Sequence, residues 1–147
     1  MHPINRRDFL SRASLAGAAL LSTGALSSLH AADTPPETIN LAVMGLSRGA
    51  SLATDFAKLP GVRITHICEV DDLRLRQFQS SFAKVQSTQP TAVKDFRRIL
   101  DDPSVHALVI AAPDHWHAPA TILACAAGKH VYCEKPASHN LREGELM

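Results

Sequence analysis

One short stretch, residues 39–50, constrains the fold of this chain more than any other. It begins with a nearly continuous apolar run, INLAVM, which is typical of a strand buried on both faces of a parallel sheet. The run breaks at Gly45 and resumes with a helical pattern at Gly49 and Ala50. A strand, a glycine turn and a helix direct backbone N–H groups and a helix N-terminus towards one point, where a phosphate can bind.

Strand and helix patterns alternate along the rest of the chain. Strands are predicted over residues 39–44, 62–70, 92–93, 105–112 and 131–134. Helices are predicted over residues 50–59, 73–85, 96–100 and 118–127, and from residue 140 onward. This alternation predicts an α/β fold, a Rossmann-like doubly wound parallel sheet with right-handed crossovers.

Composition and cysteine content narrow the class of protein. The 147 residues are 46% hydrophobic and 20% charged with a net charge of +1, which is ordinary for a globular domain and leaves no basic face for nucleic acid. Three cysteines, Cys68, Cys125 and Cys133, form no CxxC pair. We predict that they are small buried hydrophobes and not disulfide partners, because Cys68 and Cys133 fall on strands that other strands would separate.

Residues 1–31 have the pattern of an export signal. Two adjacent arginines, Arg6 and Arg7, precede the charge-free apolar run of residues 13–29 and a small-residue end. The RRxFL core resembles the twin-arginine signal, so the expected partner is that export machinery and the expected location is the periplasm. An uncleaved membrane anchor is the alternative, because the run approaches the ~20 residues of a spanning helix. Residues 32–38 are the predicted linker into the domain at 39–147.

The glycine turn is a degenerate version of the GxGxxG phosphate-binding motif. We expect Gly45 to make the tight turn and Ala50 to stand for the last glycine, where the helix packs close to the sheet. Ser47 replaces the middle glycine, so its hydroxyl can donate to a phosphate, and Arg48 can add positive charge. The predicted diphosphate-binding residues are Gly45, Ser47, Arg48 and Gly49.

The acid that a dinucleotide fold needs about 20 residues after the turn is also present. Glu69 ends the second predicted strand, where a carboxylate can accept both ribose hydroxyls and repels a 2′-phosphate. This position favours NAD over NADP as the cofactor. The alternative for Glu69 is a solvated strand-end acid, and for Asp71 or Asp72 a helix N-cap is the better interpretation.

A third cluster of candidate residues follows the most apolar strand, at the carboxyl edge where open parallel sheets bind their ligands. Its members are Pro113, Asp114, His115, Trp116 and His117. A metal site is disfavoured, because the two histidines have an i,i+2 spacing and no cysteine or second acid lies nearby.

The last cluster, Glu134-Lys135-Pro136, follows the final predicted strand. A lysine held there before a proline has a restricted backbone, and desolvation in a cleft would lower its pKa towards the range that suits proton transfer. Lys135 and His117 are expected to line one cleft. A surface lysine before a turn is the alternative.

The motifs APDHWHA and VYCEKP, with a strand between them, resemble the Gfo/Idh/MocA family of oxidoreductases, named for glucose–fructose oxidoreductase and inositol dehydrogenase. The resemblance covers about residues 39–147. It implies that residues 45–49 hold the dinucleotide phosphates, that Glu69 takes the adenosine ribose, and that residues 113–117 lie along the nicotinamide half. It also implies that Lys135, next to Glu134, reaches the nicotinamide ribose and the substrate and takes part in catalysis.

The resemblance also sets expectations about completeness and activity. Family members continue into a second α/β domain that supplies a catalytic His or Asp, whereas this chain ends at Met147 within a helical pattern. We therefore expect an incomplete fold, the NAD-binding front part of an exported oxidoreductase acting on a sugar or polyol hydroxyl. The alternatives are an NAD-dependent glycosidase of the same family and a non-catalytic remnant. A homo-oligomer of the full-length form is left open.

Overall fold

The computed structural model describes residues 38–147, and the predicted signal and nearly all of the predicted linker lie outside them. Five strands form one sheet: β1 Ile39–Met44, β2 Val62–Cys68, β3 Thr91–Val93, β4 Ala107–Ile110 and β5 His130–Cys133. Every neighbouring pair is parallel, and the strand order is β3-β2-β1-β4-β5. The predicted Rossmann-like parallel α/β sheet is confirmed.

Helices connect these strands in the predicted alternation. They are α1 Arg48–Phe56, α2 Asp72–Phe82, α3 Arg97–Leu100, α4 His117–Ala126 and α5 Leu141–Leu146, with a 3₁₀ turn at Asp114–Trp116. The predicted extension of the second helix to residue 85 is wrong, because α2 ends at Phe82 and Val85 is 38% exposed. Gly128 follows α4 with φ of 73°, the left-handed conformation that ends a helix, as its position predicts.

The central strand explains why the apolar run at the start of the domain is continuous. Leu41 and Val43 point into a core formed with α1 and α2, whereas Ala42 and Met44 point into a second core formed with α3 and α4. Both faces of β1 are therefore buried, as predicted. Burial of the larger side chains, those of Leu41, Val43 and Met44, contributes about 1.5–3 kcal/mol each to folding.

After β3 the chain crosses to the other side of β1, and this change of side determines where the crevice lies. The chain runs outward from β1 to β2 and β3, and then returns to lay β4 and β5 on the other side of β1. Met44 at the end of β1 is level with Ile110 at the end of β4. The carboxyl edge between β1 and β4 is thus the topological switch point, where ligands of such sheets bind.

The three cysteines are free thiols, as predicted. Cys68 is buried on β2, and β1 and β4 separate it from Cys133 on β5. Burial, with smaller contributions from the charges of Asp95 and Glu69, raises the pKa of Cys68 to about 11. The prediction of a buried thiol is wrong for Cys125, which is exposed on α4, and Cys133 is only partly buried.

One negative finding concerns membranes. Among residues 38–147, none of the helices combines the length and the apolar character that crossing a bilayer requires.

Candidate functional site

The turn after β1 requires glycine for a tertiary reason as well as a local one. Gly45 has φ of 85°, in the left-handed region, and its N–H donates to the carbonyl oxygen of Cys68 at 2.8 Å. A Cβ atom at Gly45 would lie 2.7 Å from both Ala111 O and Ala112 N. Because those atoms belong to the backbone at the end of β4, they cannot move aside as a flexible side chain would.

Helix α1 approaches the sheet closely at Gly49. A Cβ atom there would lie 2.9 Å from Val43 Cγ1 and 3.3 Å from the Cβ atom of Ala111. Ala50, which we expected to occupy this position, accommodates its methyl group on a partly exposed surface. The residue that must lack a side chain for this packing is therefore Gly49, one residue before the predicted Ala50.

The N-terminus of α1 is suited to an anion. Ser47 is the N-cap residue but its side chain makes no capping hydrogen bond, and the first turn carries no acidic residue. The first N–H groups of a helix have no partner within the helix, and the helix dipole makes this end positive. The hydroxyl and the backbone at Ser47 thus fit a phosphate group.

The carboxylate of Glu69 is fixed by the backbone around it. Its Oε2 accepts a hydrogen bond from Leu46 N at 2.9 Å, and its Oε1 accepts from Val70 N at 2.8 Å and Asp71 N at 3.1 Å. The glycine turn and the end of β2 are therefore joined through this one side chain. A carboxylate held in this way keeps unused lone pairs for a further donor.

Asp71 has the second role that the sequence suggested, that of a helix cap. Its side chain accepts hydrogen bonds from Leu73 N at 2.8 Å and Arg74 N at 3.2 Å and so caps α2. The backbone hydrogen bonds from Arg74 and Leu73 hold the pKa of Asp71 below its ordinary value. This confirms the N-cap interpretation.

A cavity of about 590 Å³ lies at the carboxyl edge beside Glu69. The rings of Phe96 and Trp116 form part of its wall, with centroids 6.0 Å apart in an edge-to-face arrangement. Five of the predicted site residues line it: Gly45, Ser47, Glu69, Pro113 and Trp116. The cavity unites the glycine turn, the end of β2 and the segment after β4.

The side of the crevice at β5 is held by different contacts. Glu134 Oε1 accepts from Arg48 Nε at 3.2 Å, so the residue after β5 is tied to the start of α1. Lys135 is exposed, which differs from the burial that a desolvated lysine needs. The peptide bond between Lys135 and Pro136 is cis.

His117 does not line the crevice as expected. Its side chain is only 2% exposed. Nε2 lies 2.8 Å from the carbonyl oxygen of Ala112, and Nδ1 contacts the carbonyl oxygen of Pro136. Both ring nitrogens therefore face backbone acceptors within the protein.

Asp114 and His139 form an exposed pair near this end of the crevice. His139 Nδ1 lies 3.1 Å from Asp114 Oδ2, whereas His115 Nδ1 is 3.8 Å from Asp114 Oδ1. The hydrogen bond between Asp114 and His139 lowers the pKa of the carboxyl and raises the pKa of the imidazole. Within residues 38–147 no group of three or more His, Cys, Asp or Glu side chains is arranged to hold a metal ion.

Comparison with known proteins decides the family. Residues 39–147 match the Gfo/Idh/MocA model, described as an oxidoreductase family with an NAD-binding Rossmann fold. The chain belongs to this family. Its glycine turn, Glu69 and the cavity between them are thus parts of an NAD-binding Rossmann domain.

Relatives within and around the family differ in activity. Glycosyl hydrolase family 109 protein 2 of Shewanella sp. (strain ANA-3) is 29% identical over 163 residues, covering 97% of this chain and 36% of that protein. Levoglucosan dehydrogenase of Pseudarthrobacter phenanthrenivorans is 45% identical over 56 residues, covering 38% of this chain and 14% of that enzyme.

The solved structure of one relative contains its bound cofactor. The scyllo-inositol dehydrogenase of Lactobacillus casei, solved with bound NAD(H) and scyllo-inositol, is 27% identical and superimposes with a TM-score of 0.63, over 74% of this chain and 31% of that one. This chain spans about a third of the length of the Shewanella relative and of the scyllo-inositol dehydrogenase.

Three contacts in this Gfo/Idh/MocA domain were absent from the sequence analysis. They are Glu69 with Leu46 N, Arg48 with Glu134, and Asp114 with His139, whose partners lie 23, 86 and 25 residues apart. The candidate residues themselves were named, apart from Leu46 and His139. No periodic pattern connects such partners, because the strand order alone brings them together.

Proposed function

We propose that this Gfo/Idh/MocA domain binds NAD in preference to NADP and serves the oxidation of a sugar or polyol hydroxyl. The observation that carries the cofactor preference is the carboxylate of Glu69, fixed by three backbone N–H groups at the edge of the cavity. Such a carboxylate accepts ribose hydroxyls and opposes a 2′-phosphate on the same ribose.

Three cations that also line the cavity could favour a 2′-phosphate: Arg74, Lys94 and Arg97. Each of them already has an acidic partner, at 3.6 Å from Asp71, 2.9 Å from Asp72 and 2.8 Å from Asp95 respectively. The charges of the three aspartates balance those of the three cations. The additional negative charge of Glu69 therefore makes the edge of the cavity negative. The balance favours the cofactor without the extra phosphate.

The remaining residues of the site take distinct roles in this proposal. The N-terminus of α1 and Ser47 would hold the diphosphate, and Trp116 would cover the cofactor along the cavity wall. NAD supplies the hydride acceptor when it is bound. Lys135 would hydrogen-bond the hydroxyl groups of the ribose and the substrate and assist the loss of the hydroxyl proton.

Binding measurements on the 147-residue chain test the cofactor preference. Trp116 is the only tryptophan of the sequence and lines the cavity, so its fluorescence reports on ligands there. We expect NADH to bind at least about tenfold more tightly than NADPH, a difference of about 1.4 kcal/mol. Glu69→Ala should weaken NADH binding and abolish the preference.

Glu145→Ala is the matched control, because Glu145 pairs with Arg142 on α5 at 2.9 Å and does not line the cavity. It should leave both affinities unchanged. Tighter binding of NADPH, or an unchanged NADH affinity after Glu69→Ala, would exclude the proposed role of this carboxylate.

An NAD-dependent glycosidase is the second candidate, favoured by the match that covers 97% of this chain. Such an enzyme oxidises and then re-reduces its sugar, so the two functions differ in their cofactor balance. The native protein, isolated from its source and supplied with polyols and with glycosides, should accumulate NADH from polyols if it is a dehydrogenase. Glycoside cleavage without net NADH would establish the glycosidase instead.

Export by the twin-arginine route is a further proposal, supported by Arg6 and Arg7 ahead of the apolar run. Replacing both with lysine keeps their charge but removes the paired guanidinium groups. The protein should then remain inside the cell upon fractionation. Undiminished arrival in the periplasm would contradict this route.

A further inference from the structure

His117 joins two segments that belong to different parts of the chain. Its ring is buried at the start of α4, and it faces Ala112 just after β4 and Pro136 in the turn after β5. The partner in the turn lies 19 residues away. Since Pro136 directly follows Lys135, the contact of Nδ1 holds the carbonyl group of the residue after the predicted catalytic lysine.

The number of N–H groups on the ring determines how many of the two carbonyl oxygens it can serve as a donor. Carbonyl oxygens only accept, and a neutral imidazole carries one N–H group, whereas the doubly protonated ring carries two. A proton on Nδ1 is therefore required for a hydrogen bond to Pro136 O. Without that proton, two lone pairs would face each other in a buried place, which is costly.

The other contacts around the turn act on Lys135 and the residues before it or, like the exposed pair of His139 and Asp114, on residues further along the chain. Glu134 N donates to Ile110 O at 2.9 Å and continues the ladder of β5, so it restrains the residue before Lys135. The carboxylate of Glu134 meets Arg48, whose side chain is 60% exposed, and exposed ion pairs contribute little. The contact between His117 and Pro136 differs from these, because the ring of His117 is 2% exposed and the contact is partly buried.

We propose that His117 is a positioning residue that fixes the turn carrying Lys135 against the carboxyl end of β4, and does so through a proton on Nδ1. The inference rests on the proposed role of Lys135 in contacting the nicotinamide half of the cofactor. In this arrangement His117 touches neither cofactor nor substrate. It determines where the ammonium group of Lys135 can reach.

Two substitutions distinguish the contributions of the two ring nitrogens of His117. The amide nitrogen of asparagine lies close to the place of Nδ1 and that of glutamine close to the place of Nε2. His117→Asn therefore keeps a donor for Pro136 O, whereas His117→Gln keeps one only for Ala112 O. His130→Asn is a control of the same type, because His130 is exposed at the opposite end of β5.

Ligand binding gives the first measurement, with NADH and ADP as probes in the full 147-residue chain. His117→Gln should weaken NADH binding about 3–10-fold and leave ADP unchanged, because ADP lacks the nicotinamide half. His117→Asn and His130→Asn should bind both probes as the wild type does. In a Lys135→Met background, His117→Gln should cause no further loss, because it acts through Lys135.

Amide hydrogen exchange without ligand gives the second measurement. His117→Gln should accelerate exchange at Glu134, next to the turn, and leave His130 at the far end of β5 unchanged. Equal acceleration at both amides, or equal effects of Asn and Gln, would indicate a general loss of stability and overturn the proposal. If wild-type protein binds neither probe, the proposed function fails, while exchange still decides the positioning role.

Nitrogen-15 spectra of the wild-type ring keep the proposal testable even if a variant does not fold. They should show the proton on Nδ1 of His117. An Nδ1 without a proton would overturn the proposal, since no hydrogen bond to Pro136 O could then exist.

Discussion

At the β2 side of the crevice, the carboxylate of Glu69 accepts hydrogen bonds from three backbone N–H groups. At the β5 side, the carboxylate of Glu134 accepts one backbone hydrogen bond, from Lys135 N, and pairs with the exposed guanidinium of Arg48. The first carboxylate is held by the fold itself. The second is held by one backbone N–H group and by the side chain of Arg48, which can turn away. The two sides of the crevice are therefore organised differently, with three backbone donors to the carboxylate at β2 and with one backbone donor and one exposed cation at β5.

This asymmetry agrees with the tasks proposed for the two sides. The β2 side would bind an adenosine, which does not change during the reaction, and a fixed acceptor suits it. The β5 side would contact the reacting groups, where Lys135 is exposed and its position depends on the turn that His117 holds. A group that must exchange protons gains from access to solvent or substrate.

The largest effect is expected at the glycine turn, which both sides share. Gly45→Ala would combine a left-handed backbone with contacts of 2.7 Å to the backbone of β4, and should lower the free energy of unfolding by about 4 kcal/mol or prevent folding. Gly128→Ala is the matched control, since φ is 73° but nothing lies within 4 Å, and should cost about 1 kcal/mol. Urea unfolding measures both. Equal losses would show that backbone conformation alone matters.

A smaller effect should separate the two carboxylates directly. Glu69→Gln removes charge from a group with three backbone donors and should lower the free energy of unfolding by about 1.5–3 kcal/mol. Glu134→Gln weakens the pair with Arg48 and one backbone hydrogen bond, from Lys135 N at 3.2 Å, and should cost about 1 kcal/mol. Urea titrations at one pH compare the two variants. A larger loss for Glu134→Gln would reverse our ranking of the two sides.

The smallest effect concerns the exposed pair of Asp114 and His139 at the β5 side. The folded pKa of His139 is raised above 6.5, so its contribution is complete below that pH and is lost as pH rises through the raised pKa. The folded pKa of Asp114 is lowered below 3.8, so its contribution is present above that pH and is lost as pH falls through the lowered pKa. The pair therefore stabilises the fold mainly between these limits.

Proton NMR titration of His139 tests this pair. Asp114→Asn should return the pKa of His139 towards its ordinary value and should slightly reduce stability at pH 5–6, with no difference well above the pKa of the imidazole. An unchanged titration of His139 in the variant would mean that the two side chains do not interact in solution.

Much of this domain follows from patterns along the chain. The apolar run of β1, buried on both faces, the stop of α4 at Gly128 and the cap at Asp71 depend on neighbours a few residues away. The motifs after β4 and β5 were placed correctly at the carboxyl edge, because parallel strands end on the same side. The identity of the family follows from these motifs as well.

The sequence by itself therefore determined the alternation of strands and helices, the glycine turn and the carboxylate that ends β2. Only the tertiary structure decided that the sheet leaves no room for a side chain at Gly49, that Arg48 pairs with Glu134, and that His117 is buried between two carbonyl groups. The physical reason is the separation of the partners along the chain. Periodicity and capping act over a few residues, whereas these contacts arise only after the strand order has brought the ends of β1, β4 and β5 to one edge.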